Sequence, residues 1–106
     1  MVPALVVRKE KFDVLNITNT LVTIPWGVEA VWAILTPKTL TNDSKIKRIA
    51  ICSFYNCNKH SKFKTALINH IAEAFNIISR KYTTGLHFML AANENHLNLE
   101  PILSLR

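Results

Sequence analysis

Two polar groups stand where strand ends would place chemistry. Tyr55 closes the apolar segment 49–54, and Asn93-Glu94-Asn95-His96 follows a second apolar segment, 86–92. Ligands of α/β sheets gather outside the carboxyl ends of the strands. The two groups could therefore face one shared site although they are far apart in the chain. A plain turn at 93–96 is the competing reading, and pattern alone leaves both open. A third group is cationic: Lys45, Lys47, Arg48, Lys59, Lys62 and Lys64 fall within twenty residues, with His60 among them. Any one of these lysines reads as a solvated side chain; the cluster as a whole is suited to phosphate contact. Cys52, Cys57, His60 and His70 could be drawn as a zinc set, but their spacing matches no standard finger, so no metal ligand is assigned. Cys52 lies inside an apolar run and reads as a small buried hydrophobe.

These residues need elements to hold them. The helix is the clearest. Phe63, Leu67, Ile71, Ala74, Phe75, Ile78 and Tyr82 recur at three- and four-residue steps, which puts them on one face of a helix over about 62–82. Ser61 is placed to cap its start and Gly85 to stop it in a left-handed conformation. His70 falls at the edge of the apolar stripe and reads as a boundary residue. Segment 46–55 reads as a strand that is apolar on both sides, as in the middle of a covered sheet. Segments 5–7, 12–17 and 21–24 read as short strands. Segment 28–35 is ambiguous between strand and helix, and its short length between Pro25-Trp26-Gly27 and Thr36-Pro37 favours a strand. The stretch 86–92 is a further strand, and 97–103 suggests a short helical turn. The order strand, helix, strand over 46–92 makes a βαβ-like unit.

Composition bounds the rest. The chain has 106 residues, 49% of them hydrophobic and 19% charged, which fits one folded domain and not a disordered chain. No apolar run reaches the roughly 20 residues that span a bilayer. Thirteen Lys and Arg against seven Asp and Glu give a net charge of +6, which favours polyanionic partners. The apolar start of the chain is followed at once by Arg8, Lys9 and Lys11, the wrong charge order for a signal peptide. The expected location is intracellular, cytoplasmic or nuclear, with no membrane partner.

At this point three stretches resemble a family. They are Ile49-Ala50-Ile51-Cys52-Ser53-Phe54-Tyr55, then Lys64-Thr65-Ala66-Leu67-Ile68-Asn69-His70-Ile71, then Gly85-Leu86-His87-Phe88-Met89-Leu90-Ala91-Ala92-Asn93-Glu94-Asn95. With the upstream Val28-Glu29-Ala30-Val31-Trp32 and the closing segment 97–104, they resemble the endonuclease/exonuclease/phosphatase superfamily. The chain is most similar to the endonuclease-type domain of non-LTR retrotransposon reverse-transcriptase polyproteins. The resemblance implies a two-sheet α/β sandwich with helices outside, and phosphodiester cleavage with a divalent metal, usually magnesium. It implies that residues 1–106 are a single incomplete domain lacking the catalytic segments at both ends.

The resemblance carries over residue by residue and only in part. Tyr55 holds the position of the tyrosine that lines the site, although Cys57 and Asn58 stand where prolines often follow. In the Gly-Asp-x-Asn motif, Asn95 holds the asparagine position, Asn93 replaces the aspartate and Ala92 the glycine, and His96 replaces a following aspartate. The metal-binding glutamate would lie before Met1, and Glu29 does not match it. The final Asp-His pair would lie after Arg106. A carboxamide cannot take the proton of water, a step worth about 10²–10⁴-fold. The expectation is a truncated, catalytically degenerate endonuclease-like chain that by itself binds no magnesium. DNA or RNA would contact Lys45, Lys47, Arg48, Lys59, His60, Lys62 and Lys64. Two alternatives are a non-catalytic nucleic-acid-binding module and a functionless remnant that folds poorly alone.

Overall fold

A computed structural model describes residues 10–39, 44–55 and 61–92, with the backbone alone at 61–63 and 92. It contains strands β1 (Phe12–Asn16), β2 (Ala30–Pro37) and β3 (Arg48–Phe54), helix α1 (Ser61–Lys81) and strand β4 (Leu86–Ala92). The four strands form one mixed sheet in the order β1-β2-β3-β4. β1 and β2 are antiparallel, as are β2 and β3, whereas β3 and β4 are parallel, with Arg48 opposite Leu86 and Phe54 opposite Ala92. A parallel pair needs a crossover, and α1 supplies it. The βαβ-like unit read from the sequence is therefore present.

One face of the sheet meets the helix. Leu67, Ile71, Ala74 and Ile78, three and four residues apart on α1, are buried with Trp32 and Ile34 of β2 and Ala50, Cys52 and Phe54 of β3. Each fully buried large aliphatic side chain contributes about 1.5–3 kcal/mol. β3 is interior to the sheet, as its apolar run predicts, but its faces are unequal. Ala50, Cys52 and Phe54 are buried, while Ile49, Ile51 and Ser53 on the other face are half-buried. On that second face Ala33 and Leu35 are buried, yet Met89 is 46% exposed.

Segment 21–24 is not the strand its composition predicts. Val22 makes one isolated bridge to Thr18 and donates its N–H to the Ile17 carbonyl at 3.1 Å. Asn19 takes a left-handed φ of 57°, which asparagine tolerates, and its side-chain oxygen accepts the Ile24 N–H at 3.0 Å. The chain satisfies its polar groups within a tight loop and still buries Ile17 and Val22. The ambiguous segment 28–35 is strand, as its length suggests. The helix lies within one residue of its expected limits, but Gly85 is not its stop. Helical bonding reaches Tyr82, whose N–H donates to the Ile78 carbonyl at 2.9 Å. Gly85, with φ 66°, instead turns the chain into β4. Its carbonyl accepts the N–H groups of Lys47 and Arg48 at 2.7 and 3.0 Å. The strand expected at 5–7 and the turn at 97–103 lie outside the described residues, as does the capping hydroxyl of Ser61.

Candidate functional site at the carboxyl edge of the sheet

Because β3 and β4 run parallel and in step, they leave the sheet at the same edge. β2 enters at that edge, since Ala30 lies opposite Phe54. Tyr55, the first residue past β3, is half-buried, and its N–H donates to the Glu29 carbonyl at 3.1 Å. That bond anchors the tyrosine to the strand entering beside it. Just upstream, the Val28 N–H donates to the Pro25 carbonyl at 3.2 Å, and Gly27 takes φ 84° to close the turn. The turn carries Trp26, which is 89% exposed. The sequence reading used Pro25-Trp26-Gly27 only as a strand boundary. The signal it offered was a tryptophan in a tight turn, three residues from a carboxylate.

The predicted site residues divide as follows. Tyr55 and Lys64, in the first turns of α1, are near the carboxyl edge by their place on the elements. Asn93, Asn95, Lys59 and His60 lie outside the described residues, and Lys62 is described only in its backbone. Lys45, Lys47 and Arg48 precede or open β3. A seven-residue strand separates them from Tyr55, roughly 20 Å at the usual rise per residue. A cluster that is compact in sequence is thus split between two ends of the sheet.

Cys52 and His70 belong to the core. Burial pushes the Cys52 thiol far up, so it stays protonated and unreactive. His70 is buried, not at the boundary its stripe position suggested. The reason is Trp32, whose buried indole N–H needs an acceptor. Trp32 Nε1 donates to His70 Nε2 at 3.0 Å, with the rings edge-to-face at 5.9 Å. Accepting at Nε2 places the imidazole proton on Nδ1. Desolvation lowers the His70 pKa, partly opposed by the Glu73 carboxylate.

Magnesium binds several hard oxygen ligands. Among the described residues the carboxyl edge offers one carboxylate, Glu29, and nowhere do three His, Cys, Asp or Glu side chains come together. Among the same residues no helix is long and apolar enough to cross a membrane. In comparison with known proteins, the chain matches no family model, no curated protein and no solved structure.

Proposed function

We propose that the chain is the middle segment of an endonuclease/exonuclease/phosphatase-like domain whose cleavage chemistry has been lost. The observation that supports this reading is the parallel register of β3 and β4, with Phe54 opposite Ala92. It brings the carboxyl ends of β3 and β4, which Tyr55 and Asn93 follow in the sequence, to the same edge of the sheet. The full two-sheet sandwich is part of the proposal. Its second sheet would stack on the face that carries Val31, Ala33, Leu35, Ile49, Ile51 and Met89. The residues at 93 and 95 are carboxamides. They can orient a phosphate by hydrogen bonds but cannot accept the proton of an attacking water.

The test is plasmid nicking in the presence of magnesium. The chain leaves supercoiled DNA intact, because the carboxamide at 93 cannot take the proton of the attacking water. Cutting by the unmodified chain that EDTA abolishes overturns the proposal.

A further inference from the structure

Among the described residues the cations are not spread evenly, and five of them come to one corner of the fold. β1, β3 and β4 all begin at the edge opposite Tyr55, β2 ends there, and α1 returns there. At the β1–β2 corner the charges balance. Lys11 and Lys38 share it with Glu10 and Asp13, and Lys38 Nζ lies 4.0 Å from Asp13 Oδ1. At the β3–β4–α1 corner they do not. Lys45 and Lys47 lie just before β3 and Arg48 opens it, and Arg80 and Lys81 arrive in the last turn of α1. Tyr82 ties the two groups together, with Arg48 Cζ 4.9 Å and Lys81 Nζ 5.9 Å from its ring centroid. Lys47 joins them through its contact with Gly85, where its Cγ lies 2.8 Å from an ideal Cβ position. No carboxylate of the described residues shares this corner; Asp43 lies outside them.

We infer that this corner, formed by Lys45, Lys47, Arg48, Arg80 and Lys81 around Tyr82, is a surface for the phosphate backbone of a polynucleotide. Two of the cations have a local reason to be there, since Arg80 and Lys81 complement the carbonyl end of α1. That does not account for three more brought beside them by β3. Five like charges with no carboxylate beside them among the described residues repel one another, a cost that a polyanion relieves by displacing its counterions. Arg48 opens β3, and its guanidinium lies over the Tyr82 ring, Cζ 4.9 Å from the centroid, which leaves N–H groups to donate. A bilayer is the poorer fit, because Ile46 is the one exposed large apolar side chain among these residues. The surface is separate from the Tyr55 edge and stands whether or not that edge once cleaved a phosphodiester.

The experiment is fluorescence anisotropy with a labelled DNA duplex of about 20 base pairs, titrated between about 50 and 200 mM salt. The side chains of Lys45, Lys47, Arg80 and Lys81 are exposed, so their replacement by Gln keeps the fold, which the thermal melt verifies. The quadruple Gln variant binds more than tenfold weaker at low salt, and its slope of log K against log salt falls by about 3–4. Lys11→Gln, at the β1–β2 corner where Glu10 and Asp13 balance the charge, changes affinity less than about twofold. If the quadruple variant melts early, Lys45→Gln/Lys47→Gln and Arg80→Gln/Lys81→Gln are measured separately, each lowering the slope by about 2. Wild-type affinity in these variants, an equal loss from Lys11→Gln, or no DNA binding by the unmodified chain at low salt overturns the inference. So does binding to phosphatidylserine vesicles without binding to DNA. Because the readout is binding, its failure is distinct from a nicking result at the other end.

Discussion

The two ends of the sheet are built from different physics. Toward the carboxyl end, neutral groups are stitched together in the dry interior. Trp32 donates its indole N–H to His70, its backbone N–H donates to the Thr18 hydroxyl at 2.8 Å, and its carbonyl accepts the Ile17 N–H at 3.1 Å. One residue therefore joins the sheet, the helix and the 17–24 loop. At the amino end the joint is a backbone contact. Gly85 lies against Lys47, and the side chains around it are charged and largely in water. The indole network lies toward one end, and five of the described cations lie at the other. Substitutions at the first should act on folding, and substitutions of the charges at the second should act on polyanion binding.

The largest expected effect breaks the carboxyl end. Trp32→Ala removes a fully buried indole and leaves His70 without its donor. Truncating such an aromatic costs about 3–5 kcal/mol, a large share of the stability of a domain this small. Urea denaturation followed by circular dichroism should show a midpoint far below that of the unmodified chain. An unchanged midpoint would mean that the indole does not hold this end together. Gly85→Ala sharpens the contrast at the other end, because it disturbs the amino corner without altering its charge. The left-handed φ of 66° strains any side chain, and a Cβ would meet Lys47 Cγ, Cβ and N at 2.8, 2.9 and 3.0 Å. Lys47 N cannot retreat without lengthening its own bond to the Gly85 carbonyl. The expected loss is about 1–3 kcal/mol, read from the same urea curves. A stability equal to the unmodified chain would show that the corner yields easily and that Gly85 is not its hinge.

The helix and the interior strands were legible in the sequence because their apolar spacing is long and regular, from Leu67 to Ile78 and from Ile49 to Phe54. The parallel crossover followed from their order. Three features were not legible, each because a long-range partner decides it. His70 looks like a boundary residue on its own helix, and only the indole of Trp32, 38 positions away, gives it a reason to be buried. Segment 21–24 has strand composition, but Asn19 closes a local loop that satisfies the backbone without a ladder. The basic run of 45–64 looks like one patch, but β3 separates Lys45, Lys47 and Arg48 from Lys64, while α1 brings Arg80 and Lys81 to the end where β3 begins. Proximity in sequence misleads most where a strand intervenes, since a strand carries its two ends farther apart than the same number of residues in a helix.

The smallest effect tests the carboxyl end by titration. The folded-state pKa of His70 lies below the ordinary 6.5, chiefly through desolvation, while the unfolded chain titrates near that value. The stability that neutral His70 contributes is therefore complete above about pH 6.5. As pH falls below it, the unfolded chain takes up a proton that the folded chain does not, and stability falls by up to about 1.4 kcal/mol per pH unit until the folded imidazole protonates. Protonation would also turn Nε2 into a donor facing the Trp32 N–H, so the bond cannot survive it. Glu73, whose charge favours the protonated form, narrows the window without reversing the sign. The control is His70→Gln, whose amide oxygen can still accept from Trp32. Melting temperatures taken at about pH 7.5 and 5.5 should fall more steeply for the unmodified chain than for His70→Gln. Parallel behaviour of the two proteins would mean that the buried imidazole accepts its proton without loss, and that this end of the sheet is wetter than its hydrogen bonds imply.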